Sequence, residues 1–189
     1  MLRSTVTAAV LFLAPMVQAA EVPPAMSSYI YDDLMSWVND ARIVAAINAR
    51  NGKTGSLSEA DIIAEDDKWR AEVGQAETPT IDSVINAPLS AYLKENVENS
   101  GGRITEVFVM DQNGLNVAAS GVTSDYWQGD EAKFQESYGK GAGAVFIDEI
   151  ELDESTQTYQ GQVSFAVTDP ATGDVVGAIT VGLNADAFF

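Results

Sequence analysis

The chain has 189 residues, 46% of them apolar, and carries 10 Lys+Arg against 28 Asp+Glu, a net charge of −18. That size and apolar content fit one domain with a real core, while the charge repels phosphate backbones and anionic lipid and argues against nucleic acid as a partner. Cys and His are both absent, so disulfides, thiol nucleophiles, a Ser-His-Asp triad and a zinc hydrolase are excluded by inventory, leaving carboxylate chemistry or an all-oxygen calcium site.

Residues 1–19 read as an export signal. Arg3 precedes a mostly apolar run, and Val17-Gln18-Ala19 offers small residues at the positions a signal peptidase reads. Cleavage is expected after Ala19, with Ala20 as the alternative. No later segment has the length of a membrane span, so the expectation is a soluble exported protein without stable membrane insertion, in the periplasm of a Gram-negative source.

Residues 20–102 read as a helical region and 103–189 as a sheet region of the same domain. Between Ser28 and Arg50, Ile30, Leu34, Trp37, Val38, Ala41, Val44 and Ala45 fall on one helical face. This predicts one long amphipathic N-terminal helix stopped at Asn51-Gly52 and Lys53-Thr54-Gly55. Ser58 followed by Asp61 resembles a capping box for a second helix, with Ile62, Trp69 and Val73 on its inner face and Asp66 an exception there. Gly74 and Pro79 are expected to end it. A third helical region spans residues 81–98, interrupted at Pro88, which suits the first turn of a helix carrying Leu89, Leu93 and Val97.

From Arg103 onward Val, Ile, Phe, Thr and Gly dominate, with turn signals at short intervals. Strands are predicted over 104–110, 115–119, 144–152, 158–167 and 175–183, with turns at Asp111-Gln112-Asn113-Gly114 and Asp169-Pro170-Ala171-Thr172-Gly173-Asp174. A short helix is expected at 131–137. Helices followed by five strands without alternation predict an α+β fold with a five-stranded antiparallel sheet.

Three segments carry a resemblance: FVMDQNGLNVAAS, SDYWQGDEAKFQESY and DPATGDVVGAITVGLNAD. In this order, after N-terminal helices, they resemble the first hairpin, connecting segment and closing hairpin of the single Cache (extracellular PAS-like) sensor domain. The resemblance runs from Tyr29 to Phe189. It implies a long N-terminal helix packed on a curved five-stranded PAS-like sheet, with a pocket for a small organic metabolite. Two departures stand out. The chain closes on Phe188-Phe189 without the membrane helix of a receptor, so signalling is expected to pass through a membrane receptor or histidine kinase. No Arg stands close to Tyr126-Trp127-Gln128, so the amino-acid-binding motif of double Cache domains is not matched.

On this reading Tyr126, Trp127 and Asp130 are the expected ligand contacts, with Lys133 and Met110 behind them. Each has a plainer reading. Tyr126 and Trp127 serve equally as caps on the core, Asp130 as a helix N-cap, and Lys133 as partner of a neighbouring acid. Asp148, Glu149, Glu151, Asp153 and Glu154 read as a solvated strand face, with Glu149, Glu151 and Asp153 on one side. Trp37 and Trp69 read as core. The leading expectation is a ligand-binding sensor module, not an enzyme, with no cofactor or metal. The alternative is an interaction module of the same fold without a working pocket, forming a homodimer through its N-terminal helix. A carboxylate-dependent enzyme comes third.

Overall fold

Helices cover both faces of one antiparallel sheet in this computed structural model, which describes residues 22–153 and 158–189. The expected export signal lies outside the described residues.

The N-terminal segment starts as α1 (Pro24–Ser28) and runs on through a π turn (Tyr29–Asp33) and a 3₁₀ turn (Leu34–Ser36). Met26, Ile30, Leu34 and Val38 follow at helical spacing and are all buried. The expected single long helix is broken here. Asp40 leaves helical geometry, with φ −55° and ψ 137°, and its side chain accepts from the Arg42 amide to cap α2 (Ala41–Thr54). A cap of this kind restarts a helix in a new direction. Asn51-Gly52 does not stop α2. Asn51 instead accepts from the Gln112 amide at 2.9 Å and donates to the Val176 carbonyl at 2.8 Å, so tertiary bonds carry the helix on to Thr54.

The capping box of α3 (Glu59–Glu72) forms as expected between Ser58 and Asp61. Gly74, at φ +77°, follows its end. Pro79 opens α4 (Pro79–Ile85) rather than ending α3, and Pro88 opens α5 (Pro88–Asn99). Pro is at home in a first turn, where its missing N–H leaves no bond unmade. Buried Ser90 ties this corner to the sheet, donating to the Val84 carbonyl and accepting from the Ala119 amide.

The strands are β1 (Ile104–Met110), β2 (Asn116–Ala119), β3 (Val145–Ile147), β4 (Glu151–Asp153), β5 (Thr158–Thr168) and β6 (Val175–Asn184). The order is β2-β1-β6-β5-β3, with β4 also on β5. The expected third strand is therefore two. Val145↔Phe165 to Ile147↔Val163 and Glu151↔Gln160 to Asp153↔Thr158 differ in register by one residue. Residues 148–150 form the irregular stretch between them, behaving as a bulge. Taken as one interrupted strand, they restore the five-stranded antiparallel α+β fold that the sequence predicts. The helix α6 (Ala132–Gln135) and a 3₁₀ turn (Tyr138–Lys140) lie between β2 and β3.

Strand alternation divides the core in two. Val107, Val109, Val163, Phe165, Ile179 and Val181 face α1, α2 and α5. Phe108, Met110 and Ala178 belong to the other side, with Trp69 of α3, Val84 of α4 and Phe134 of α6. No described helix is long and apolar enough to cross a membrane.

Candidate functional site

The connecting segment from Ser120 to Gly143 lies on the Phe108–Met110 side of the sheet, and two glycines and one carboxylate hold it there. Gly114, at φ +81°, ends the β1–β2 turn; a Cβ on it would sit 2.5 Å from Gly129 Cα, so the turn and the segment touch backbone to backbone. Asp111 is buried and shapes the turn, accepting from the Asn113 and Leu115 amides and from Thr54 Oγ1 at 2.6 Å. The turn thereby fixes the C-terminal end of α2. The carboxylate is Asp66, the polar exception on the inner face of α3. Its Oδ1 accepts from the Tyr126 and Trp127 amides at 2.8 and 3.0 Å, and its Oδ2 pairs with Arg70 at 2.6 Å.

Tyr126 is only 2% exposed and stacks on Trp69, ring centroids 5.4 Å apart. Its hydroxyl accepts from Arg50 Nη2 of α2. Burial pushes the phenol pKa up to about 12, the Arg50 charge offsetting part of that rise. Trp127 is half-buried and donates Nε1 to the Asn113 carbonyl. Met110 is 0% exposed. Tyr126 and Met110 are thus both buried in this conformation. Lys133, its side chain 15% exposed, reaches Glu131 at 2.9 Å and Gln128 Oε1 at 3.4 Å, with Nζ 5.5 Å from the Phe108 ring centroid. Asp130 is exposed. It does not cap α6; Glu131 takes the N-cap position without a side-chain bond.

Tyr126, Lys133 and Met110 are therefore on one face of the sheet, Trp127 sits at the turn, and Asp130 stands outside the group. The sequence reading missed Arg50 and Asp66, which tie α2 and α3 to Tyr126. Asp66 was visible as a charge on an apolar stripe. Two buried polar atoms near Tyr126, Arg50 Nε and Asn116 Oδ1, find no hydrogen-bond partner among the described residues.

Two concave features lie apart from this group, one between helices and the other farther along the same side of the sheet, where Glu106 continues the Phe108–Met110 face. Arg42, Arg50, Lys53, Leu89, Tyr92 and Val117 are among the residues lining a groove of about 510 Å³ between α2 and α5. Glu106, Asp148, Glu149 and Glu151 line a cleft of about 390 Å³ with Gln160 and Gln162. The bulge at 148–150 brings Asp148 and Glu149 to the same cleft, where unbroken alternation would have parted them. Among the described residues no Asp/Glu group is arranged to hold a metal ion.

No family model and no curated protein sequence matches the chain. Among solved structures, the chain is similar to the sensor domain of the Vibrio cholerae histidine kinase DctB, at 15% identity over 86% of this chain and 59% of that one, with a TM-score of 0.42. It is similar to the sensory domain of the Campylobacter jejuni chemoreceptor Tlp3 with isoleucine bound, at 13% identity over 89% and 66%, TM-score 0.40. It is also similar to the ligand-binding domain of the Pseudomonas aeruginosa amino acid chemoreceptor PctC in complex with GABA, at 11% identity over 82% and 63%, TM-score 0.43. The chain spans less than two thirds of each of these domains.

Proposed function

We propose that this chain is an exported sensor module of the Cache type, binding a small organic metabolite and acting through a membrane signalling partner. One arrangement carries the reading. A long connecting segment, anchored at one end by Asp66, lies across a sheet face and holds a phenol against Trp69 and a cation near the Phe108 ring. Loops held on a rigid scaffold are the common location of binding residues. Lys133 is a largely desolvated cation, and Tyr126 has a hydroxyl suited to a ligand's polar end. In this reading Tyr126, Trp127, Asp130, Lys133 and Met110 form the ligand wall. The segment lifts to admit the ligand, exposing Tyr126 and Met110. The protein is delivered to the periplasm by cleavage after Ala19.

A thermal-shift screen against amino acids, amines and short carboxylates tests this. A ligand that binds the native state raises the melting temperature with the logarithm of its concentration. Lys133→Ala and Tyr126→Ala are expected to abolish that rise while folding persists. A rise retained in both variants overturns the assignment.

A second reading has its own observation. Met110 at 0% and Tyr126 at 2% exposure fill this face, while Tyr31 and Met35 on the N-terminal segment are 53% and 40% exposed. These favour an interaction module without a working pocket that pairs with a second copy through that segment. It predicts an unchanged melting temperature with every compound and a dimer in sedimentation that Tyr31→Lys dissociates.

A further inference from the structure

The groove between α2 and α5 lies on the side of the sheet opposite the connecting segment, with Leu89 of its lining packed in the α1–α2–α5 core. Its residues from α2 are Arg42, Ala46, Ala49, Arg50 and Lys53, a single helical face. The charge of this lining is opposite to that of the molecule. The chain has 28 Asp+Glu and 10 Lys+Arg, yet the groove contains three of those cations and no acid.

The three cations differ in what they have left to offer. Arg42 is committed to Asp40, with Nε and Nη2 at 2.8 and 2.7 Å from its two carboxylate oxygens, and its guanidinium lies 3.6 Å from the Tyr92 ring centroid. Glu95 is close enough to raise its pKa further. Arg42 therefore builds a fixed wall with Tyr92 and brings little net charge. Arg50 and Lys53 have no ion pair among the described residues. Arg50 donates to neutral Tyr126, and its buried Nε has no partner. These two positive groups sit near the C-terminal end of α2, with Lys53 in its last turn.

The rest of the lining is apolar: alanines that keep the groove open, and Pro88, Leu89, Tyr92 and Val117. A volume of about 510 Å³ lies in the range of small-molecule sites. We infer that this groove binds a small organic carboxylate with an apolar or aromatic body, the carboxylate on Arg50 and Lys53 and the body between Tyr92, Leu89 and Val117. Inorganic anions fit it poorly, because most of the lining has nothing to donate. This site goes beyond the ligand wall proposed on the other face, and the two are linked through Arg50, which also bonds the Tyr126 hydroxyl.

The probe is phenylacetate, titrated into the full chain and followed by heteronuclear NMR, with neutral phenylacetamide and inorganic phosphate as parallel arms. Saturable changes in resonance position are expected at Leu89, Tyr92 and Val117 with phenylacetate, and none there with phenylacetamide. Lys53→Met, a change at an exposed helix position that leaves the fold intact, is expected to weaken binding about tenfold, as befits a lost charge-assisted hydrogen bond. Lys133→Ala, on the opposite face, leaves this titration unchanged, which separates the groove from the ligand wall. Absence of saturable changes at the three residues overturns the inference. So does equal binding of phenylacetamide, an unchanged affinity in Lys53→Met, or displacement of phenylacetate by an equal concentration of phosphate.

Discussion

Tyr126 shows how much one residue's meaning depends on its surroundings. In sequence it is an aromatic in a polar segment, equally suited to a pocket or to a cap. In the fold it is buried against Trp69 with Arg50 on its hydroxyl. The phenol ionises near pH 10 in the unfolded chain, but burial holds the folded pKa at about 12. Ionisation is therefore easier in the unfolded state, and the stabilisation present below pH 10 is lost as pH rises through the folded value. Each pH unit separating the two pKa values is equivalent to about 1.4 kcal/mol, so denaturant unfolding between pH 10 and 12 is expected to show a loss of about 2–3 kcal/mol from this residue. Tyr126→Phe is expected to flatten that part of the profile. Tyr29 and Tyr138, whose pKa values burial also raises, keep a residual slope in the variant.

At the scale of elements, α3 and the connecting segment meet through one carboxylate. Asp66 is 6% exposed and satisfies two backbone amides while paired with Arg70. Asp66→Ala leaves those amides without an acceptor, at about 1–3 kcal/mol for each one that stays buried. A loss of about 3 kcal/mol in urea unfolding is expected, with Asp66→Asn losing less because its Oδ1 remains an acceptor. Equal losses in the two variants would mean that the Arg70 ion pair, not the amide cap, carries the effect. The amphipathic spacing of 30, 34 and 38 was right about burial but gave no sign of the break at Asp40. The reason is that Asp40 caps by a local bond to Arg42, a short polar signature inside an apolar stripe. The split of β3 from β4 was equally hidden, since one residue of register is set by the partner strand β5.

Across the whole molecule, a charge of −18 works against compactness. Among the described residues few ion pairs offset it, and those exposed at both partners, Lys68–Glu65 and Lys140–Glu136, have small energetic weight. Raising sodium chloride from low to physiological concentration at pH 7 is therefore expected to raise the melting temperature, because the Debye length shrinks to about 8 Å and screens like charges. A flat or falling salt profile in calorimetry would show that attractive pairs dominate instead. The same screening weakens phenylacetate at the groove, so the two salt responses are expected to have opposite signs.

The composition limits, the α+β order, the capping box at Ser58, the helix start at Pro88 and both turn motifs were legible before any fold was seen. These depend on local backbone chemistry or on periodicity, which adjacent residues encode. The sequence also marked Asp66 as out of place on an apolar stripe. Tertiary structure alone decided that Arg50 bonds Tyr126, that Asp66 caps the connecting segment, and that Asp148 and Glu149 share one cleft. It also joined the basic face of α2 to Tyr92, Leu89 and Val117. Arg42 and Arg50 fall within the helix that the sequence predicts, but Lys53 stands at its expected stop, and the groove the three line needs α5 and β2 beside them. The Arg50, Asp66 and groove contacts join residues far apart in the chain, and the neighbours Asp148 and Glu149 are placed by the pairing of β3 and β4 with β5, so no local pattern records any of them.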